Sequence, residues 1–387
     1  MQDDTHFPLV EVSGSPYERG RQHGLAVPQR VRRSVDIYAQ ALSELAFSQA
    51  ALSRLIDEFT QAIVAFEPAY VEEMRGIADG AGVSYEQVLM INARTEIMAR
   101  ARAHGNQADQ AGDTASEDEC TGVAVLPQRS ATGAYIQGQN WDNRIDCAET
   151  VIILRVLRED GPDVLTFVEA GGLARYGVNS AGIVLTGNGM SSSRDYQQPG
   201  VPLPLVRRKA LEQTHFAIAL QLVMTTPKAC SCNVILGTSD GFGVSVECAP
   251  DESFLRYPID GVVVHANHWT SPVALKKLVD VSLAGSPESQ FRHARVQALI
   301  DGMPKVSMED LKTVFADTAG TPFSVCRPAR TSGQGYPSCT TATLLVDPAA
   351  GSMSVARLPW QGGTYAHYSV ARGSEINSHL NNVEETT

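Results

Sequence analysis

The amino-acid sequence predicts an α+β fold in which antiparallel sheets are covered by helices. Three features of the 387-residue chain favour it: residues 16–103 have a helical pattern, the strand-like segments that follow are joined mostly by short turns, and more helices are mixed with the later strands. A doubly wound parallel sheet fits less well, because each pair of parallel strands needs a long crossover connection. Apolar residues make up 43% of the chain, which is enough to build a large core.

The helical region comes first. Apolar residues recur there at steps of three and four, the period of an amphipathic helix. Pro68 suits the first turn of one helix, where the missing N–H costs nothing. Ser84 is expected to cap a helix over residues 85–100, with Gln87 completing a capping box.

A change of composition separates these helices from the first predicted strand. Residues 103–119 read AHGNQADQAGDTASEDE and contain no large apolar side chain, which is typical of a mobile linker. A strand is predicted to begin at Cys120. Further strands are predicted at 135–141, 151–157, 164–169, 175–179, 182–188, 234–238, 243–248, 261–265, 341–347 and 352–358, and further helices at 204–224, 289–300 and 307–315.

Charge and composition narrow the class of protein. A net charge of −12 argues against binding to a phosphate backbone, so no nucleic-acid partner is expected. No apolar run is long enough to span a bilayer, and the first residues lack the pattern of a signal peptide, so we expect a cytoplasmic protein without a membrane partner. Seven cysteines, an odd number, indicate reduced thiols in such a compartment.

Cys120 is the first candidate for chemistry. Its thiol can attack the preceding carbonyl, that of Glu119, and form a thioester that water hydrolyses. The cut would leave Cys120 with a free α-amine, whose pKa of about 7.7–8.0 makes it a general base for its own thiol. The alternative is a buried cysteine that merely starts a strand.

Two strand ends carry further polar residues. In the segment Gly138-Gln-Asn-Trp-Asp142, Trp141 can line an apolar pocket while Asn140 or Asp142 orients a reacting group; the alternative is a turn-making Asx residue. In the segment His265-Ala-Asn-His-Trp269, the side-chain amide of Asn267 suits an oxyanion donor, because it does not titrate.

Three other interpretations remain open at this stage. A papain-like enzyme would pair Cys120 with His265 or His268. A zinc site would combine these histidines with Cys230 and Cys232, although that pair lacks the spacing of structural zinc sites, and no metal is predicted. Arg327 can clamp a substrate carboxylate through two hydrogen bonds, or simply form a structural ion pair.

In their order, these pieces resemble the acyl-coenzyme A:6-aminopenicillanic acid acyltransferases, also called isopenicillin N acyltransferases, a family of self-processing N-terminal-nucleophile cysteine enzymes. The resemblance covers residues 9–358. The matching pieces are Gly14-Ser-Pro-Tyr-Glu-Arg-Gly-Arg-Gln-His-Gly24, Glu119-Cys120-Thr121, Gly138-Gln-Asn-Trp-Asp142, Gly177-Val-Asn-Ser-Ala-Gly-Ile183, Asn267-His-Trp269 and Cys326-Arg327.

The resemblance implies a four-layer αββα fold and cleavage between Glu119 and Cys120. Residues 1–119 would become an α-chain and residues 120–387 a catalytic β-chain, both within one αββα domain. It also implies that Cys120 is the nucleophile, that Asn267 helps to stabilise the oxyanion, that Asp142 lies in the pocket and that Arg327 lies near the substrate. We therefore expect Cys120, Asn267 and Asp142 to be catalytic residues, and Trp141, Arg327 and Thr121 to bind the substrate.

Two positions depart from the penicillin enzymes, and they bear on maturation and on the substrate. Glu119 replaces a glycine before the nucleophile, and its charge and bulk are expected to slow maturation; Gly122 replaces a hydroxyl residue, so the pocket is expected to differ.

From the residues and the resemblance together, we expect a thiol hydrolase or acyltransferase for a small N-acyl substrate, with an amide or acyl donor and an amine acceptor as partners. No cofactor is expected. The rivals are an unprocessed Cys/His thiol hydrolase and a non-catalytic binding protein of the same fold.

Overall fold

The computed structural model describes residues 5–105, 119–332 and 335–371. The helices are α1 (Pro16–Ala26), α2 (Pro28–Glu44), α3 (Gln49–Phe66), α4 (Pro68–Ala81), α5 (Tyr85–Asn92), α6 (Arg94–Gly105), α7 (Leu203–Leu211), α8 (Phe216–Thr225), α9 (Ser282–Gly285), α10 (Ser289–Asp301) and α11 (Met308–Phe315). Within the described ranges, no helix is long and apolar enough to cross a membrane.

The strands form two sheets. They are β1 (Leu9–Val12), β2 (Glu119–Val125), β3 (Ile136–Arg144), β4 (Val151–Val156), β5 (Val164–Glu169), β6 (Tyr176–Asn179), β7 (Ile183–Gly189), β8 (Cys232–Thr238), β9 (Gly243–Cys248), β10 (Ser253–Arg256), β11 (Val262–His265), β12 (Arg330–Thr331), β13 (Pro337–Asp347), β14 (Ser352–Arg357) and β15 (Tyr365–Ser369). The first sheet has the order β1-β4-β5-β6-β7-β8-β9-β10, and the second has the order β11-β2-β3-β13-β14-β15 with β12 beside β13. Only the pairing of β1 with β4 is parallel among these strands.

Four layers result from the way these elements pack, which confirms the predicted αββα architecture. Helices α7 and α8 cover the outer face of the first sheet, and α10 and α11 cover the outer face of the second. The inner faces meet through β2 and β3 of one sheet and β7 and β8 of the other. One apolar core fills the space between the sheets and under the N-terminal helices, and a smaller one lies under α10 and α11.

Most predicted elements are present, but two long helices are broken. The helix expected over residues 85–100 divides at Ala93, and the one expected over 204–224 divides between α7 and α8. The second break has a visible cause: the Asn179 side chain donates to the carbonyls of Leu211 and Gln213 at 2.8 Å each, which satisfies the end of α7. The predicted cap Ser84 closes a capping box, and Ser307 closes another at the start of α11.

Several short strands were missed. Strands β1, β10, β12 and β15 have two to five residues each, too few for a periodic pattern to be recognised. Most of the predicted linker, residues 106–118, lies outside the described residues, as does the tail beyond residue 373. Glu119, which was assigned to that linker, is instead the first residue of β2.

The alternation of side chains along β2 places the candidate nucleophile. Residues 120, 122 and 124 face the first sheet, since a Cβ at Gly122 would lie 2.8 Å from the side chain of Ile235 in β8. Thr121, Val123 and Val125 face α10 and α11 on the other side. The Cys120 thiol therefore points into the layer between the two sheets.

Candidate active site

Cys120 is buried between the sheets beside aromatic side chains. It lies directly opposite Trp141 in the pairing of β2 with β3, and its Sγ is 3.7 Å from the hydroxyl of Tyr176. The Trp141 ring meets Phe167 edge-on at 5.2 Å, and the Arg175 guanidinium lies 4.9 Å from the centre of its face. Trp141 thus forms one wall around the thiol. Its role in substrate binding stays a prediction.

The backbone of Cys120 is held on both sides by buried polar groups. Its N–H donates to Asn267 Oδ1 at 2.8 Å, and its carbonyl accepts from Arg292 Nη1 at 2.7 Å. Arg292 Nη2 also donates to Asn267 Oδ1, at 2.7 Å. Both groups around Oδ1 are donors only, so the orientation of the Asn267 amide is determined. The nitrogen of the predicted scissile bond is therefore fixed by a dedicated acceptor.

The other end of the Asn267 side chain bears on its predicted oxyanion role. Its Nδ2 donates to the carbonyl of Gly189 at 2.9 Å, at the end of β7, and its backbone N–H donates to Ser289 Oγ at 2.7 Å. In the uncut chain, Asn267 thus orients the Cys120 nitrogen. Nδ2 carries two N–H groups and Gly189 accepts from one of them, so this contact does not exclude donation to an oxyanion, and the oxyanion role stays a prediction.

The histidines of the papain-like alternative are tied to other groups. His265 Nε2 lies 2.9 Å from Glu247 Oε1 and its Nδ1 lies 2.8 Å from the carbonyl of Ala266. His268 Nδ1 is 2.7 Å from Ser289 Oγ, and burial lowers the pKa of His268 to about 3, which keeps the ring neutral. These contacts give both rings structural roles. In the described part of the chain, no cluster of three or more metal-ligating side chains is found.

Thr121 and Asn140 lie on the opposite side of the second sheet from the thiol. Thr121 Oγ1 accepts from Arg292 Nη1 at 2.7 Å, so in this state it supports the arginine that holds Cys120. Asn140 Nδ2 donates to the carbonyls of Phe315 and Val325 at 2.8 and 2.9 Å, which anchors the end of α11. Because the Asn140 amide is committed to these two carbonyls, Asp142 is the better candidate for the residue that orients a reacting group.

Asp142 is paired with Glu119 across β2 and β3, on the same side of the sheet as Thr121. Its Oδ1 accepts from Thr340 Oγ1 at 2.6 Å, and its Oδ2 lies 3.1 Å from Arg327 Nη2. Burial raises the pKa of Asp142 to about 6, because the charged carboxylate has lost its water. Asp142 is therefore close to titration near neutral pH.

Glu119 is held in a defined anion site, which we call the Glu119 seat and which consists of Ser286, Arg327 and Arg330. Ser286 Oγ donates to Glu119 Oε1, while Arg327 Nη1 and Arg330 Nη2 contact Oε2, the latter at 3.2 Å. Both arginines also lie 3.2 Å from Glu288 Oε1. Burial, and to a lesser extent the charge of Arg330, lowers the pKa of Arg327 well below its usual range.

The structure adds residues that sequence reasoning missed. Arg292 lies on a helix whose apolar spacing is ordinary, and nothing in the local sequence distinguishes it from a surface arginine. Tyr176 starts a short strand beyond the linker, and Ser286 follows α9. Arg330 closes the segment Cys326-Arg-Pro-Ala-Arg330, whose two arginines were the one available signal.

Comparisons with known proteins point to one family. The family model described as acyl-coenzyme A:6-aminopenicillanic acid acyl-transferase matches residues 129–356. The 40 kDa form of acyl-coenzyme A:6-aminopenicillanic-acid-acyltransferase from Emericella nidulans is 28% identical over 326 residues, which cover 82% of this chain and 84% of that protein.

Solved structures that resemble this one are more distant in sequence. The Caenorhabditis elegans N-acylethanolamine-hydrolyzing acid amidase ortholog is 14% identical, with a TM-score of 0.44 over 59% of this chain and 93% of that one. A mutant of conjugated bile acid hydrolase from Clostridium perfringens is 12% identical, with a TM-score of 0.46 over 68% and 97% of the two chains.

Proposed function

Because the chain belongs to the acyl-coenzyme A:6-aminopenicillanic acid acyl-transferase family, we propose that it is a self-processing cysteine amide hydrolase or acyltransferase. In this proposal the chain cuts itself between Glu119 and Cys120, and Cys120 then forms a thioester with the acyl group of a small N-acyl substrate. One observation carries the proposal: the Cys120 N–H lies 2.8 Å from Asn267 Oδ1, in a buried site beside its own thiol.

Self-cleavage begins at the strand end where Glu119 enters β2. The Cys120 thiol adds to the Glu119 carbonyl, and the bond to the Cys120 nitrogen breaks as the proton released by the thiol is transferred to that nitrogen. The product is a thioester between Glu119 and Sγ. Water hydrolyses it to the Glu119 carboxylate and the free thiol, which leaves an α-amine on Cys120.

Turnover uses the new amine as a base. Its pKa of about 7.7–8.0 lets it accept the thiol proton near neutral pH and pass it to the leaving amine of the substrate. Asn267 Oδ1, which accepts from this nitrogen before the cut, would go on accepting one amine proton and so orient the lone pair toward Sγ. Water or a second amine then takes the acyl group.

The two chains are expected to stay together after the cut. Buried ion pairs join elements on either side of it: Arg208 of α7 pairs with Glu73 of α4 at 3.1 Å, and Arg94 of α6 pairs with Glu169 of β5 at 2.9 Å. Separating the chains would leave these charges unpaired, at a cost of several kcal/mol each. The α-chain and β-chain thus act as one domain. A cytoplasmic location and independence from a cofactor remain predictions.

Selective alkylation of Cys120 tests this function. All seven cysteines are buried in the uncut chain, so the other six serve as internal controls. In the purified protein, iodoacetamide should label Cys120 at least tenfold faster than the others, with a rate that rises through the pKa of the α-amine. Equal labelling of all seven cysteines would favour a binding protein. Fast labelling and amide turnover by a single uncut chain would favour the Cys/His hydrolase.

A further inference from the structure

We propose that the Glu119 seat becomes the binding site for the acyl group of the substrate after cleavage, and that this acyl group is of glutaryl type, with a carboxylate at the far end of a five-carbon chain. The inference rests on the proposed function, because it needs Cys120 to act first on Glu119 and then on a substrate. It assigns a chemical class to the acyl side of the substrate.

The argument starts from the shared reaction. Cys120 attacks the Glu119 carbonyl in the first reaction and the substrate carbonyl in every later one, so both carbonyl carbons must occupy the same place beside Sγ. Glu119 must therefore leave before a substrate can bind. Whatever is attached to the substrate carbonyl then extends toward the space that the Glu119 side chain has vacated.

The seat that it leaves behind is built for a carboxylate. Arg327 is fully buried, Arg330 is 13% exposed, and Ser286 supplies a hydroxyl donor. Arg327 Nε and Arg330 Nε have no hydrogen-bond partner among the described residues, so the site is not saturated even with Glu119 in place. A planar carboxylate is the ligand that such paired guanidinium groups prefer.

The balance of charges gives a second, independent reason to expect that an anion binds in the Glu119 seat after cleavage. The cluster around the seat contains three cations and three carboxylates; these are Arg292, Arg327, Arg330, Glu119, Glu288 and Asp142. When Glu119 leaves, three cations face two carboxylates. A buried charge without a partner is costly, so the cut enzyme gains from binding an anion in that position.

The length of the acyl group follows from Glu119 itself. Three carbons, Cα, Cβ and Cγ, separate its carbonyl carbon from its side-chain carboxylate. A glutaryl group has the same spacing, as does a glutamyl residue linked through either of its carboxyl groups. Succinyl groups are one carbon shorter and adipoyl groups one carbon longer, so both should fit less well.

The test measures how small acids protect Cys120 from alkylation in the matured enzyme. Glutarate should halve the rate of iodoacetamide labelling at a concentration at least about tenfold lower than pentanamide, which has the same chain length but no carboxylate, as expected for hydrogen bonds to charged donors. Succinate and adipate should fall between them. Glutaryl-p-nitroanilide should likewise exceed pentanoyl-p-nitroanilide in kcat/KM by about tenfold or more.

Two arginine variants locate the effect. Arg330→Gln should abolish most of the advantage of glutarate, whereas Arg295→Gln should preserve it, because Arg295 lies on α10 but pairs with Asp317 instead. Equal protection by glutarate and pentanamide in the wild-type enzyme would overturn the inference while leaving the proposed function intact. An uncut protein whose Cys120 is labelled no faster than its other cysteines would overturn both.

Discussion

Replacing Glu119 by glutamine in the uncut protein should lower its stability far more than the same change at a surface glutamate. The experiment uses the Cys120→Ala background, in which the chain is expected to stay intact. Glu119→Gln keeps the shape of the side chain but removes the charge that faces Arg327 and Arg330. Glu309→Gln is the matched control, since Glu309 forms an exposed helical pair with Lys312 at 2.8 Å.

The expected magnitude follows from burial. Removing one partner of a buried ion pair costs about 3–5 kcal/mol when the other charge is left alone. Here the side chain of Glu119 is 17% exposed, and Glu288 still contacts Arg327, so we expect a loss of about 2 kcal/mol. The side chain of Glu309 is 78% exposed, and its loss should cost no more than about 0.5 kcal/mol.

Thermal unfolding followed by circular dichroism measures the difference. An unfolding entropy of roughly 2.1 cal/mol/K per residue over 387 residues converts 2 kcal/mol into a fall in Tm of about 2–3 °C. The control should shift Tm by less than about 1 °C. If Glu119→Gln is as stable as Glu309→Gln, the seat does not hold the carboxylate in the way described, and the reasoning about its charge is refuted.

Three further predictions concern the neighbouring residues. Asn267→Ala removes the acceptor of the Cys120 N–H, so self-cleavage on a gel time course should slow by about tenfold or more; cleavage at the wild-type rate would contradict its positioning role. Burial raises the pKa of Asp142 to about 6, so between pH 4 and 6 the folded protein keeps a proton that the unfolded chain has released. The unfolding free energy of the wild type, measured relative to that of Asp142→Asn, should therefore fall by up to about 3 kcal/mol between pH 4 and 7. A difference that stays constant over this range would contradict the raised pKa. Gly122→Ala would bring a methyl to 2.8 Å from an isoleucine side chain of β8, and should lower the free energy of unfolding in urea by about 1 kcal/mol or more. The control Gly302→Ala, at φ −70° with its nearest atom at 3.5 Å, should lower it less. Equal losses would argue against close packing of the sheets.

The fold was largely predictable because its signals are local. The cap at Ser84 and the strand that begins near Cys120 depend on neighbours within a few residues. The break between α7 and α8 was not predictable, since it depends on Asn179, which lies in another strand. Short edge strands such as β1 and β15 gain their structure from pairing partners far along the chain.

The candidate site was predictable only in part. Cys120, Asp142 and Asn267 stand out because each lies at a strand end in a recognisable segment. Arg292 reaches Cys120 only through the packing of α10 against the second sheet. The residues of the Glu119 seat come from the segment after α9 and from the segment that leads into β12, and no sequence spacing encodes their meeting. Glu119, whose charge and bulk are expected to slow maturation, has binding partners of its own in the structure.

Intact-mass spectrometry of the purified protein tests self-processing most directly. The wild-type protein should yield two masses that meet between residues 119 and 120, and the Cys120→Ala variant should yield one. An active wild-type protein in which these two residues are still joined, or a Cys120→Ala protein cut at the same bond, would contradict the mechanism.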